Sequence, residues 1–413
     1  METCFLSKDD PKLSAIVQKE ATRLENSINL IAAENHAPRS IMEAIGSVFN
    51  TKTIEGYPGK RFHGGCIYAD ELESLAIERA KKLFKTEYAN VQPHSGTSAN
   101  IAIYFAILKL GDKVLSMSLP HGGHLSHGHH ASITSKCFNF EHYTIDKNTE
   151  QINYDSVRDQ AMKFKPRMIV AGASSYARLI DYEKMAQIAH DVSAYLMVDM
   201  AHLSGLVAAG VIPSPIPHSD FVTFTCYKTM MGGRGGVILA KADYANQIDK
   251  AVFPGCQGTS AVNLIAAKAL IFKLATTPNF VKIQQKTLDN AAQLAVELKK
   301  RNYRIVFGGT ETHQVIVDLS TKGLTGKQAE KILDSVGIVL NRNVIPKDAL
   351  KPGQVSGIRI GSAGISTRGM GKTEISKIVD WIDTALTRHN EPKTLTAVKN
   401  AVEKLCYTFP VYC

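Results

Sequence analysis

The 413-residue chain has no uncharged apolar run long enough to cross a bilayer, and no repeat or low-complexity segment. Its start, METCFLSKDDPKL, is acidic and basic by turns and lacks the apolar core of a signal peptide. Cysteine is sparse: Cys4, Cys66, Cys137, Cys226, Cys256, Cys406 and Cys413 are scattered, odd in number and form no CxxC pair. That argues against a disulfide framework and a zinc ribbon, and suits a reducing compartment. A soluble, cytoplasmic protein with no membrane partner is the expectation. The formal charge of +10 comes without a Lys/Arg block interleaved with aromatics, so nucleic acid is not an expected partner. A solvated basic surface accounts for the charge, and such a surface also attracts an anionic cofactor or substrate.

The length suggests two globular parts. The apolar runs KVLSMSL, RMIVAGAS, AYLMVDMA, DFVTFTCY and GGVILAK read as buried strands, and intervening segments such as DYEKMAQIAHDVS read as amphipathic helices. This alternation predicts an α/β fold with a mainly parallel sheet covered on both faces. After TTPNF the texture changes to a long polar-faced helix (KIQQKTLDNAAQLAVELKKRN), a strand (HQVIVDL) and a helix near Thr325–Val336. Residues 1–278 are therefore expected to form an N-terminal arm and a large domain, and 279–413 a small C-terminal α+β domain.

Ligands of parallel sheets sit beyond the carboxyl ends of the strands. AYLMVDMAH ends in Asp199 and His202, DFVTFTCYK ends in Lys228 ahead of the turn GGRGG, and RMIVAGASSY ends in Ser174 and Ser175. Singly, these would be a structural aspartate and a surface lysine. Together they can serve one ring, the aspartate keeping a pyridine nitrogen protonated while the lysine forms an imine, which is what pyridoxal 5'-phosphate asks of a protein. His94-Ser95-Gly96-Thr97-Ser98 precedes the helical run ANIAIYFAILKL and offers free N–H groups to a phosphate, or else simply caps the helix. The turn Gly255-Cys256-Gln257-Gly258-Thr259-Ser260 can add donors. The segment HGGHLSHGHH, His121 to His130, invites a metal reading, but its glycines make it a loop without HExxH spacing. No metal is expected, and one imidazole lying flat on a cofactor ring is the competing use.

The segments NLIAAEN, EGYPGKRFHGG, NVQPHSGTSAN, LPHGGHLSHG, VDMAHLSGLVAAGVIPSP, FPGCQG and SGIRIG resemble, in order, the signatures of serine hydroxymethyltransferase. The resemblance implies a fold-type I pyridoxal phosphate transferase, a homodimer or tetramer with active sites shared between subunits. It implies that Lys228 carries the cofactor, Asp199 pairs with the ring nitrogen, and His124 stacks on the ring. Ser174 and His202 would contact the phenolic oxygen. Ser95, Gly96 and Thr97 would bind phosphate, with Thr225 beside the cofactor and Gly258 and Thr259 supplied by the partner subunit. Arg359 would clamp the substrate carboxylate, a bidentate task suited to guanidinium. Glu55 would be the acid/base group, with Thr53 and His63 near the substrate and His63 a further catalytic candidate. Leu119, Gly123, Leu125 and Asn343 match folate contacts.

The departures gather around the substrate and folate. Ala33 stands for the family's Ser in its IASEN segment, Thr53 for a Tyr, and Phe62 and His63 for paired tyrosines. Cys226 and Tyr227 replace Thr and His, TMMGGRGG replaces TLRGPRGG, and Thr259-Ser260-Ala261-Val262-Asn263 replaces GPxxH. Gly353 stands where the family has an aromatic. His63 brings a group that titrates near neutrality. A specialised member is therefore expected, cleaving the Cα–Cβ bond of a β-hydroxy amino acid. Two carriers stay open: tetrahydrofolate taking the one-carbon unit of serine or an α-substituted serine, or a second aldehyde in a folate-independent, threonine-type transaldolase or aldolase. A non-catalytic relative is the third reading, opposed by Lys228, Asp199 and Arg359.

Overall fold

The computed structural model describes residues 4–348, 350 and 353–412; Cys413 lies outside them. The five apolar runs form strands Lys113–Met117, Met168–Gly172, Tyr195–Asp199, Phe221–Thr225 and Gly236–Ala240 of one seven-stranded sheet. From edge to edge the sheet runs 88–90, 236–240, 221–225, 195–199, 168–172, 113–117 and 139–143. Strand Gly236–Ala240 departs from the expected parallel set, because it is antiparallel to both neighbours. Only the short glycine turn after Lys228 separates it from strand Phe221–Thr225, and a parallel return needs a crossover of a dozen residues or more. The edge strands Tyr88–Asn90 and Asn139–Tyr143 give no apolar run, the first being short and the second (NFEHY) largely exposed.

Both faces of this sheet are buried, and the period of two shows it. Val114, Met168, Val170, Met197, Phe221 and Ile238 pack with Ala99, Ala102, Ile103 and Tyr104 of helix Gly96–Ile107. The intervening Leu115, Ile169, Ala171, Leu196, Val198, Val222 and Val237 face the opposite cluster, with Ala76 and Ala80 of helix Ile67–Phe84 and Ile265 of helix Val262–Leu274. Burying strands on two sides requires continuous apolar runs, which is why those runs were legible.

A second core surrounds an antiparallel four-stranded sheet, ordered 304–305, 314–318, 357–361 and 341–343. Helix Gly326–Ser335 begins in a capping box, with Thr325 and Gln328 satisfying each other's backbone donors. Helix Pro278–Lys300 starts at the expected boundary but belongs to both bodies. Phe280 packs in the large core, whereas Ala291, Leu294 and Leu298 pack in the small one. Assigning all of residues 1–278 to the large part needs correction. Ile28–Asn29 pairs in parallel with Ile338–Val339, and Ile28 and Leu30 lie in the second core.

Candidate active site

The strands deliver their reactive residues to one rim of the sheet. Asp199 is the last residue of its strand, and Lys228 follows three residues after the end of the next. Asp199 is held from several sides. Its Oδ2 accepts from Asn100 Nδ2 at 2.8 Å and from His127 Nε2 at 3.1 Å, and its Oδ1 accepts the Ala201 N–H at 3.0 Å. Because a carboxylate only accepts, His127 carries a proton on Nε2, and its Nδ1 lies 2.7 Å from the buried Tyr104 hydroxyl. Burial alone would raise the pKa of Asp199. The hydrogen bond from His127 and the fields of His127, His124 and Lys228 outweigh it and hold the carboxyl below its ordinary range.

His124, His127 and Asp199 bring potential metal-ligand atoms within 4.8 Å of one another. The histidine nitrogens that could ligate are already engaged, while Asp199 Oδ1, with one donor, keeps a lone pair for a ring nitrogen. Both His127 nitrogens are engaged, and His124 Nδ1 lies 2.7 Å from Ser126 Oγ and accepts the Ser126 N–H at 3.2 Å. The cluster is a hydrogen-bonded network that aims a carboxylate. Burial lowers the His124 pKa to about 4, so its ring is neutral and can lie against an aromatic cofactor.

Lys228 is buried, and no carboxylate among the described residues pairs with its Nζ. Burial lowers its pKa to about 8, against the pull of Asp199 and with help from Arg359 and Arg234. Burial thus brings the free amine, the state that attacks a carbonyl, to about a tenth of the population near neutrality, far more than an ordinary lysine offers. Its own carbonyl accepts from Asn35 Nδ2 at 3.1 Å. Arg359 reaches the same crevice from the four-stranded sheet. Its Nη1 donates to the Ser174 carbonyl at 2.7 Å and its Nε to Asn341 Oδ1 at 3.2 Å, and among the described residues no carboxylate pairs with it. Burial lowers the pKa of this guanidinium to about 10. A half-buried cation with neutral partners is a receptor for an anion.

His202 stacks on His313, with ring centroids 5.4 Å apart, and its Nδ1 lies 3.3 Å from His313 Nε2. Burial holds His202 well below its ordinary pKa, so it is neutral. His313 Nδ1 is buried without a hydrogen-bond partner among the described residues. At the phosphate end, Ser95 caps helix Gly96–Ile107 by accepting the Ser98 N–H at 3.1 Å, and no acid occupies the first turn. Gly96 is required there, since a Cβ would approach Thr225 Cγ2 to 2.7 Å. The Thr225 hydroxyl is spent on the Ala201 carbonyl at 3.3 Å, so Thr225 serves the site by packing beneath Gly96.

The remaining candidates form a second group. Thr259 Oγ1 accepts the Ile54 N–H at 2.7 Å, between Thr53 and Glu55, and a Cβ on Gly258 would lie 4.0 Å from Glu55 Oε1. His63 is exposed beside them, its carbonyl accepting from Cys66 Sγ at 3.3 Å. No hydrogen bond or ion pair among the described residues links Glu55 or His63 to Lys228, Asp199 or Arg359. His94 joins the groups, its Nε2 lying 3.1 Å from the Thr259 carbonyl. Leu119 and Leu125 are exposed on either side of Gly123 and His124. Asn343 shares its strand face with Asn341, the partner of Arg359, and its amide donates to the Val344 carbonyl at 2.6 Å.

Sequence reasoning missed Asn100, His127, Asn341 and Asn35. Asn100 carried a signal, a polar residue within the apolar run ANIAIYFAI, and it is buried at a relative exposure of 1 %. The set fits a phosphorylated pyridine aldehyde: an ionised carboxylate for a ring nitrogen, a buried amine of lowered pKa for an aldehyde, and a capped helix start for a phosphate. A family model described as serine hydroxymethyltransferase matches residues 6–382.

Proposed function

Since the chain belongs to the serine hydroxymethyltransferase family of fold-type I pyridoxal phosphate transferases, we propose that it cleaves and forms the Cα–Cβ bond of a β-hydroxy amino acid, transferring a hydroxymethyl group to or from a glycine-type product. The observation that carries the reading is the half-buried, acid-free Arg359 beside Lys228 and Asp199. An α-amino acid supplies the missing carboxylate, and two guanidinium N–H groups can grip both its oxygens.

Pyridoxal phosphate, when bound, supplies an aldehyde for the substrate's amine and a ring that accepts the electron pair released from Cα. Asp199 holds the ring nitrogen's proton, and His124 covers one ring face. Lys228 would hold the cofactor's aldehyde carbon and, as a free amine, would move a proton at Cα. Arg359 would fix the carboxylate and so orient the bonds at Cα, a matter of positioning worth several orders of magnitude in rate. Glu55, with His63 as a nearby base, takes the proton of the β-hydroxyl.

Exposed apolar residues around that second group support assembly with another copy. Val48, Phe62, Ile67 and Tyr68 are each at least 70 % exposed, and a partner surface would bury them. Such a dimer brings Glu55, Gly258 and Thr259 of one protomer to the crevice of the other. The exposed Leu119 and Leu125, with Asn343 beside the Arg359 strand, support tetrahydrofolate as the one-carbon carrier. Thr53 and the exposed His63 favour the folate-independent transaldolase, because they widen the pocket and add a base.

Glycine, serine, α-methylserine and threonine, each with and without tetrahydrofolate, separate the two while the long-wavelength absorption is followed. Folate-dependent enhancement with glycine or serine is expected for hydroxymethyl transfer. A persistent band from threonine, discharged by aldehydes and indifferent to folate, overturns it in favour of the transaldolase. A holoprotein without visible cofactor absorption would leave only a non-catalytic relative. Replacing Arg359 by Met should raise KM for the amino acid about 100-fold, the loss of two charge-assisted hydrogen bonds, and leave the cofactor's spectrum unchanged. Steady-state kinetics beside the absorption spectrum checks this.

A further inference from the structure

Lys268, on helix Val262–Leu274, is 1 % exposed, and its ammonium is spent on backbone. Nζ donates to the Val91 carbonyl at 2.5 Å and to the Pro93 carbonyl at 3.1 Å. The Pro93 carbonyl also accepts the Gly236 N–H at 2.9 Å. The two glycines beside these bonds have no room for a side chain. A Cβ on Gly235 would lie 2.3 Å from Lys268 Cε, and one on Gly236 would lie 2.1 Å from the Ser95 carbonyl oxygen. The lysine, the glycine turn after Lys228 and the segment leading into Ser95 are therefore one packed unit.

Burying an ammonium against neutral groups costs several kcal/mol, and a methionine fills similar space without that cost. The phosphate cradle explains the charge. His94 to Ser98 contains no lysine or arginine, so a dianion seated there meets N–H groups and a helix end but no cationic side chain of its own loop. We infer that Lys268 is a positioning residue and a buried counter-charge for the cofactor's phosphate, fixing Pro93 ahead of the cradle and placing positive charge behind it. The inference rests on the reading that Ser95, Gly96 and Thr97 hold that phosphate.

The titratable groups facing Lys268 leave this charge uncompensated. Burial pushes the Cys226 thiol up to about 12, so it is neutral. Glu73 is ion-paired with Arg61 at 2.5 Å and accepts from Gln92 at 2.8 Å. Burial lowers the Lys268 pKa to about 8, which Cys226 and Glu73 only partly oppose. The ammonium is present below that pH and is lost as pH rises through it.

The test measures binding of pyridoxal phosphate and of pyridoxal, which lacks the phosphate, to cofactor-free wild type, Lys268→Met and Lys268→Arg between pH 7 and 9.5. Lys268→Met should weaken pyridoxal phosphate by about tenfold or more, leave pyridoxal within about twofold, and be largely rescued in Lys268→Arg. In wild type the preference for the phosphorylated ligand should fall as pH passes about 8, and in Lys268→Met it should be flat. Equal weakening of both ligands, or no weakening, overturns the inference. If Lys268→Met does not fold, the wild-type series decides alone, and a preference independent of pH overturns it. Failure of both ligands to attach to wild type would instead strike at Lys228, which serves both.

Discussion

Lys228→Ala should lose the amino-acid reaction by at least about a thousandfold, the range that a positioned proton-transfer group supplies, while remaining folded. The side chain is buried without an acid partner, so removing it deletes a destabilised cation and leaves the packing of the neighbouring strands in place. Folding should be spared for that reason, and thermal unfolding of the cofactor-free variant should match or exceed wild type. Borohydride treatment of wild type should fix the cofactor on the peptide containing residue 228, and the variant should release it. A pH dependence accompanies this. Burial lowers the Lys228 pKa to about 8, so the amine is blocked by a proton below that value. Attachment of added cofactor should accelerate as pH rises through about 8. A wild-type peptide left unmodified by borohydride would sink the assignment of this lysine.

Asp199→Asn should be comparably damaging, by about 150- to 5000-fold in kcat, for an electrostatic reason. The carboxylate keeps a proton on the ring nitrogen, and deleting one partner of a buried charge pair costs about 3–5 kcal/mol, which at about 1.36 kcal/mol per decade gives that range. The amide also upsets its neighbours. The amide oxygen can still accept from Asn100 and His127, but the amide NH2 then faces the Ala201 N–H, a donor against a donor. The loss should appear as a blue-shifted cofactor band with KM little changed. The contrast with Arg359→Met, whose loss falls on KM, separates ring activation from substrate grip. An Asp199→Asn enzyme with normal kcat would show that the carboxylate acts only in the fold.

The large layer was legible because its strands are buried on both sides and so read as continuous apolar runs. The edge strands were not, since one side of each faces solvent or the strand is too short to carry a pattern. Lys228, Asp199 and His202 were legible because a strand end is a fixed place in a parallel sheet. The groups that aim them were harder. His127 and Asn100 act across 72 and 99 residues of sequence from Asp199, a distance that no local pattern records. The division at 278 misread the N-terminal arm, because one two-residue strand decides which core it joins and carries no local periodicity. Gly258 and Thr259 could be matched by motif, yet which subunit's crevice they complete is a property of assembly and not of the chain's own spacing.

Arg359 is rooted in the four-stranded sheet, while the carbonyl it holds, that of Ser174, lies just beyond strand Met168–Gly172 of the seven-stranded one. One guanidinium therefore stitches the seam between the two bodies, and the anion it receives lies on that seam. Tightness toward the amino acid and the angle at which the smaller body leans on the larger are coupled as a single adjustable quantity. Substitutions far out on the small sheet can then retune substrate choice without touching anything that does the chemistry.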